Sequence, residues 1–109
     1  MADEVDVLQG TLDLLVLKAL SWAPMHGYNI LDWLRRATQF ELRLEDAALY
    51  PALHRMEARG LIDAEWGVSE NNRRARYYTL TPEGRKQLAA EIRQFDVVMG
   101  AVRRVIEPT

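Results

Sequence analysis

The sequence predicts an α+β fold that is mainly α-helical, and three observations support this prediction. Apolar residues recur at helical spacing in four stretches of the 109-residue chain. Two strand-like runs, residues 61–66 and 75–80, flank a segment rich in residues that favour turns. Arg73, Arg74 and Arg76 cluster at the end of that segment. A helix followed by a hairpin with a basic loop is the order of elements in a winged helix-turn-helix. The sequence therefore predicts that fold, followed by one more long helix at the C-terminal end.

The first two predicted helices supply most of the N-terminal half of the core. The first covers roughly residues 8–22 and is apolar around most of its circumference, which is typical of a helix buried on more than one side. Because the domain is small, the second buried side points to a partner subunit, and we assign Leu12 and Leu15 to that contact. The second helix covers residues 27–38 and should turn four apolar residues inward: Ile30, Leu31, Leu34 and Ala37.

The third predicted helix covers residues 46–59 and stops at Gly60, a residue that commonly ends helices. Leu49, Leu53 and Met56 fall at i, i+4 and i+7, so they share a face that should point into the core. The opposite face has small, weakly polar residues and can approach another surface closely, and a helix N-terminus suits phosphate. This outer face consists of Ala47, Pro51, His54 and Ala58, flanked by Ala48, Tyr50 and Arg55.

The hairpin favours a nucleic-acid-binding interpretation of the helix before it. Taken alone, the third helix could be an ordinary amphipathic helix of the core. Arg73, Arg74 and Arg76 change that balance, because each guanidinium on a protruding loop can bind a phosphate through two hydrogen bonds. Glu70 is the acidic residue expected near them. We therefore predict that the third helix and the hairpin loop contact DNA.

The last predicted helix begins with Thr81 as its N-cap and Pro82 at its first position. Its apolar residues recur at spacings of 4, 3, 4, 3 and 4, the heptad pattern of a helix that packs along another helix. With the first helix, this seam is expected to form a homodimer. The chain then comprises a DNA-binding part, residues 1–80, and a dimerisation helix, residues 81–109, in one compact domain. The seam consists of Leu88, Ile92, Phe95, Met99, Val102 and Ile106.

Composition and motifs indicate neither catalysis nor metal binding. The chain has no cysteine, which excludes disulfides and thiolate metal sites. His26 is assigned to a turn and His54 to an exposed helix face, and the two lack the spacing of a zinc site. Phosphate-binding glycine loops and nucleophile elbows are absent from the sequence. We expect no enzyme activity, metal or cofactor. The tryptophans are assigned to packing: Trp22, Trp33 and Trp66.

Charge and hydropathy predict a cytoplasmic protein with a localised basic surface. The N-terminus is acidic, unlike the basic flank of a signal peptide, and the apolar run at residues 12–20 is too short to span a membrane. The net charge of −2 is unusual for a DNA-binding domain, but the acids dominate the N-terminus and the bases concentrate in the hairpin loop. This distribution predicts weak non-specific binding and dependence on a specific operator.

Four motifs resemble the PadR family of bacterial transcriptional regulators. The runs LYPALHRMEARGLIDAEW at residues 49–66 and NNRRARYYTLTPEGR at 71–85 are similar to the winged-helix core of that family. HGYNI at residues 26–30 and GTL at 10–12 also resemble it, and the order and spacing of the motifs agree over nearly the whole chain. The C-terminal part is similar to the compact branch of the family, in which one helix replaces a larger domain. The resemblance implies a homodimeric regulator.

One position departs from the family pattern. Family members commonly have a small residue and then a hydroxyl residue just before LYP, whereas this chain has Ala47 and Ala48. Any phosphate contact or helix cap from that hydroxyl is missing, so capping falls to Asp46. The affinity for DNA is the property that this departure affects, not the fold.

The sequence therefore predicts a homodimeric repressor that binds a palindromic operator in double-stranded DNA. Two alternatives stay open. One is a regulator that senses a small apolar effector between the helices of the dimer. The other is a winged helix that binds only other proteins, which the acidic balance would permit.

Overall fold

The computed structural model describes residues 4–8 and 10–107, and the four helices in these ranges follow the predicted order. They are α1 (Thr11–Leu20), α2 (Gly27–Ala37), α3 (Asp46–Ala58) and α4 (Pro82–Ile106). Only α1 differs clearly from its prediction, since it is shorter than residues 8–22. Gly10 precedes it in the left-handed conformation, with φ of 86°, and an α-helix does not continue through that conformation.

Five strands accompany the helices in the described part of the chain: β1 (Val5–Asp6), β2 (Met25–His26), β3 (Leu42–Arg43), β4 (Ile62–Val68) and β5 (Arg74–Leu80). β4 and β5 form the predicted antiparallel hairpin, and β2 pairs with the other edge of β5. β1 and β3 pair in parallel as a separate ribbon. The sequence does not predict β1, β2 or β3, because two residues are too few to display the alternation of a strand.

The core lies between α1, α2, α3 and the inner face of the hairpin. Leu49, Leu53 and Met56 are fully buried, as their spacing predicts. Ala37 was expected to face inward and is exposed, because α2 ends there and the chain reverses through Gln39 and Phe40, which both have positive φ. Other residues of the same core are Val16, Leu17, Ile30, Leu34, Ile62, Tyr78 and Leu80.

Gly60 terminates α3 as the sequence predicts, whereas the N-terminus of the helix lacks the predicted side-chain cap. Gly60 has φ of 75°, its N–H donates to the Glu57 carbonyl, and the Leu61 N–H donates to the Met56 carbonyl. These two bonds form a Schellman motif, which sets the direction of β4. The expected cap by Asp46 is wrong: helical geometry already includes Asp46, and Glu45 occupies the cap position without a side-chain hydrogen bond.

The start of α4 agrees with its prediction and lies close against the end of α3. The Thr81 hydroxyl accepts a hydrogen bond from the Gly84 N–H at 2.9 Å and donates one to the Gly60 carbonyl at 2.7 Å. A side chain at Gly84 would meet the Leu61 carbonyl oxygen at 2.1 Å, so only glycine allows this approach. α4 then packs against α1 and β5 through its first turns, where Leu88 is buried.

Candidate nucleic-acid interface

The outer face of α3 is exposed and nearly free of positive charge. Ala47, Ala48, Pro51 and His54 are all exposed, which agrees with the face predicted for them. The helix begins with two further exposed residues, the acidic Glu45 and Asp46. Their carboxylates offset the partial positive charge of the helix N-terminus. This face can therefore approach a surface closely but offers phosphate little attraction.

Two side chains at the edges of this face bind neighbouring helices. The ring of Tyr50 lies against Gly27, where an added Cβ would meet the Tyr50 hydroxyl at 2.5 Å. Arg55 donates to the Asp13 carboxylate on α1 at 3.0 Å, and Asp13 is the more buried of the pair. Both contacts fix the position of α3 relative to the first two helices. The sequence did not indicate the Asp13–Arg55 pair.

The hairpin loop is a compact turn that holds two arginines in solvent. The Ser69 N–H donates to the Arg73 carbonyl at 2.7 Å and the Asn72 N–H to the Ser69 carbonyl at 2.9 Å, with Asn72 at φ of 58°. Asparagine adopts this left-handed conformation more readily than most residues. Arg73 and Arg74 are exposed and form no ion pair within the described residues. We call residues 66–76, the loop with the adjoining strand ends, the wing.

Arg76 and Arg74 each form a contact that the sequence did not indicate. Arg76 donates to the Glu57 carboxylate of α3 at 3.0 Å, so Glu70 is not the only acidic residue near the wing arginines. The guanidinium of Arg74 lies over the ring of Trp66 at 4.5 Å. Trp66 is 59% exposed, and its assignment to packing is therefore wrong. The same assignment is wrong for the exposed Trp22, whereas Trp33 packs against the core.

A groove of about 410 Å³ separates the wing from α3 and from the start of α2. Trp66, Arg74 and Arg76 line it from the wing, and Tyr50 lines it from α3. Its residues therefore come from three elements that are distant in sequence. Tyr50, at the edge of the outer face of α3, and the wing arginines therefore line the same groove.

Glu70 connects the wing to the N-terminus of α2. Its carboxylate accepts a hydrogen bond from the Asn29 amide at 3.4 Å and lies 3.7 Å from Nε2 of His26. A hydrogen bond from its own backbone N–H, followed by the one from Asn29, holds the pKa of Glu70 below its usual value. The Glu70 carboxylate thus contacts α2 and, among the described residues, forms no ion pair with the wing arginines.

His26 is a structural residue of α2 and not part of a turn. It is buried, lies in β2, and its Nδ1 accepts a hydrogen bond from the Asn29 N–H at 3.2 Å as the N-cap of the helix. Its ring and that of Tyr77 on β5 pack edge to face, with 5.3 Å between the ring centroids. The assignment of His26 to a turn is wrong, because the strand pairing that buries it depends on distant residues.

Residues 16–90 match the model of the transcriptional regulator PadR-like family. The chain belongs to the PadR-like family. It is therefore a transcriptional regulator, and the resemblance of its motifs to that family is confirmed. The family is one of regulators and not of enzymes.

Solved structures similar to this PadR-like chain extend over almost its whole length. A transcriptional regulator from Clostridium thermocellum has 28% sequence identity and a TM-score of 0.83, and the match covers 92% of this chain and 97% of the other. A PadR family transcriptional regulator from Eggerthella lenta has 31% identity and a TM-score of 0.77, with 93% and 86% covered. An uncharacterised protein of Lysinibacillus sphaericus is 24% identical over 83% of each chain. The predicted α+β winged-helix fold is confirmed.

The second half of α4 leaves most of the predicted seam uncovered in this PadR-like chain. Ile92, Phe95, Val102 and Ile106 of the predicted seam are exposed, with Ile106 at 64%, and Met99 is partly buried. On α1, Leu12 and Leu15 are also partly buried and not enclosed by the core. The first seam residue, Leu88, is buried within its own chain. An apolar surface is thus left along α1 and α4.

Metal-binding groups and membrane spans are two further features of interest in this PadR-like chain. The described residues contain no group of three or more histidines, cysteines or acids placed to hold a metal ion. Among the helices of the described residues, none is both long and apolar enough to cross a membrane.

Proposed function

We propose that this PadR-like regulator is a homodimeric repressor that binds a palindromic operator in double-stranded DNA. The observation that supports it most is that α3, whose outer face is exposed, and the wing with its exposed arginines line one groove, α3 through Tyr50. In this proposal α3 enters the major groove, and the wing lies on phosphates or in the minor groove. Base edges would meet Ala47, Ala48, Pro51 and His54, the backbone would meet Tyr50 and Arg55, and the wing would bind through Arg73, Arg74 and Arg76.

A homodimer is supported by the uncovered apolar residues of α4. At about 1.5 Å per residue, its 25 residues span roughly 37 Å, longer than the part that packs on its own chain. A second copy related by a two-fold axis would cover both α4 and α1. Two recognition helices about 34 Å apart would then reach successive major grooves, which favours a palindromic site. The proposed contact residues are Leu12, Leu15, Ile92, Phe95, Met99, Val102 and Ile106. Leu88, the first residue of the predicted seam, is excluded because its own chain already buries it.

The dimer is tested by placing a charge in the seam. Phe95→Asp should convert the protein to a monomer and weaken operator binding, because a buried carboxylate without a partner is costly. Val97→Asp is the matched control: Val97 is 69% exposed and lies on the opposite side of the helix from Phe95. The molar mass from light scattering is the measurement. Equal masses for the native protein and Phe95→Asp would contradict the proposed interface.

DNA binding is tested with the fragment upstream of the protein's own gene, titrated across salt concentration. We expect tighter binding than to a scrambled fragment and a steep fall in affinity with salt. A footprint would then give the spacing of the half-sites. Binding equal to the scrambled control would contradict a specific operator. No binding to any DNA at low salt would favour the protein-binding alternative.

A small apolar effector is the second candidate function, and one cavity favours it. A space of about 400 Å³ between the start of α1 and α4 is lined by Leu14, Phe95, Val98 and Met99. An apolar compound bound there would contact both helices proposed for the dimer. If so, the compound must change the affinity for DNA, and DNA must change the affinity for the compound by the same factor. Titration with naphthalene as a simple apolar probe, with and without DNA, measures both.

Repression and location follow from the proposed operator. A dimer bound over a promoter would block access of RNA polymerase, and this role would place the protein in the cytoplasm. A transcription assay on the same upstream fragment distinguishes repression from activation.

A further inference from the structure

The three wing arginines occupy three different environments. Arg73 is exposed, Arg76 is paired with Glu57, and Arg74 is stacked on Trp66. We propose that Trp66 is a positioning residue for DNA binding, which holds the Arg74 guanidinium at the groove beside α3 in the orientation that receives a phosphate. This inference rests on the proposed DNA-binding function and extends it to a residue that does not itself need to contact DNA.

The register of the hairpin places Trp66 and Arg74 on one face. Trp66 pairs with Arg76, and Val68 pairs with Arg74, so alternation directs these four side chains to the same side. Nearer the base of the hairpin, that side faces the core through the Ile62–Leu80 pair. Beyond the core, the same face becomes the wall of the groove opposite Tyr50. The stacked pair therefore faces the space between the wing and α3.

Stacking leaves the hydrogen bonds of Arg74 available. A guanidinium over an aromatic ring uses its flat face, while its N–H donors lie in the plane and point outward. In Arg76, by contrast, one of those donors is already bound to Glu57. Arg74 can thus bind a phosphate through two hydrogen bonds without first breaking an ion pair.

Stacking also restricts a flexible side chain before it binds. A free arginine loses rotamer freedom when a phosphate fixes it, and the ring of Trp66 limits that loss by holding the guanidinium in place. A cation–π contact at an exposed site corresponds to roughly a two- to fivefold change in an equilibrium constant. The exposed position of an indole ring on the wing is then explained by the side chain it supports.

The test uses a random-sequence duplex of roughly 30 base pairs at low salt, because phosphate contacts act on every sequence. Trp66→Leu should weaken binding roughly two- to fivefold, and Trp66→Phe should retain most of the affinity, since phenylalanine also presents a ring face. The salt dependence should not change in either variant, because no charge is removed. Arg74→Ala should weaken binding more and flatten the slope of log K against log salt by about 1 for each wing that contacts the duplex.

The double variant separates positioning from direct contact. In the Arg74→Ala background, Trp66→Leu should cause no further loss, because the guanidinium that it positions is gone. Phe40→Leu is the control, since Phe40 is likewise an exposed aromatic residue and lies outside the wing, the groove and the proposed dimer contact. It should leave the affinity unchanged. Melting temperatures of all variants show whether each one folds.

The affinities of the single and double variants distinguish positioning by Trp66 from direct contact with DNA. An equal loss from Trp66→Leu with and without Arg74 would overturn positioning and indicate a direct contact or a folding effect. Native affinity in Trp66→Leu together with a loss in Arg74→Ala would overturn the inference and leave the proposed function intact. Native affinity in Arg74→Ala and in Arg73→Ala would remove the wing from the DNA contact and overturn the inference. Absence of any binding of the native protein to the duplex at low salt would instead contradict the proposed function.

Discussion

The outer face of α3 and the wing lie side by side and differ in charge. The N-terminal end of α3 presents alanines and the acidic pair Glu45 and Asp46, and its basic residue Arg55 is bound to Asp13. The wing presents Arg73 and Arg74 without an acidic partner among the described residues. In the proposed complex, recognition of base edges and attraction of phosphate would therefore be divided between two elements.

This separation reconciles the net charge of −2 with a DNA-binding role. Phosphate attraction falls off within about 10 Å in 0.1 M salt, so the charge near the contact matters more than the total. The wing would supply affinity for any DNA, and α3 would supply the preference for one sequence. Substitutions in the wing should therefore lower the affinity for any DNA, whereas substitutions on α3 should lower the preference for the operator.

The largest expected effect comes from removing both exposed arginines of the wing. Arg73→Ala with Arg74→Ala should weaken binding about tenfold or more, to the operator and to random DNA alike, and should flatten the salt dependence. Fluorescence anisotropy with both duplexes across salt concentration measures this. Arg93→Ala with Arg104→Ala, two exposed arginines of α4, is the matched control for loss of charge. An unchanged salt slope in the wing variant would exclude the wing from the contact.

A smaller and more selective loss is expected on α3. His54→Ala should weaken operator binding several-fold and leave random-DNA binding unchanged, because a base contact carries sequence information and a phosphate contact does not. The ratio of the two affinities is the measurement. Thr79→Ala, at an exposed site on β5 outside α3 and the wing, is the control and should leave both affinities unchanged. Equal losses on both duplexes would contradict the division between α3 and the wing.

Restoring the hydroxyl residue of the family pattern should have the opposite sign. Ala48→Ser places a donor in the first turn of α3 and should tighten binding to both duplexes roughly two- to tenfold, the value of one added hydrogen bond. Ala47→Ser is the control at the neighbouring small position. If Ala48→Ser binds no better than the native protein, the missing hydroxyl is not what limits affinity.

Sequence patterns predicted the features that depend on near neighbours in the chain. The burial of Leu49, Leu53 and Met56, the stop at Gly60 and the cap at Thr81 each follow from spacing or from one residue's conformation. The same patterns predicted which residues of α3 would be exposed. Whether those residues contact DNA stays a prediction.

The features that the sequence missed depend on residues brought together by the fold. The pairs Asp13–Arg55 and Glu57–Arg76 join different elements, and no local spacing indicates them. Trp66 was misassigned for a related reason. Alternation along β4 gives the side to which the ring points, but it does not indicate where along the strand the core ends and the groove begins.

A modest pH effect is expected from the contact between the wing and α2. The pKa of Glu70 is lowered in the folded protein, so its ionised form stabilises the fold at pH values above its ordinary pKa of 4.5, and this contribution is lost as the pH falls through the lowered value. Glu70→Gln should therefore melt below the native protein at pH 7, and the two should converge in acid. Glu41→Gln, at an exposed site before β3 where no ion pair is recorded among the described residues, is the control. A difference in melting temperature that persists in acid would contradict the role of ionised Glu70.

The smallest expected effect has the opposite sign and tests the same linkage away from DNA. Burial, with a smaller contribution from Asp13, raises the pKa of Glu91 on α4 above 4.5, and its Oε2 is buried without a hydrogen-bond partner among the described residues. Ionised Glu91 therefore costs stability above its raised pKa, and this cost is absent below 4.5. Glu91→Gln should raise the melting temperature at pH 7 by roughly 1–3 °C and lose that advantage in acid. Since Glu91 lies outside the wing and the outer face of α3, the substitution should leave binding to random DNA unchanged. A loss of that binding would show that α4 influences the DNA-binding surface.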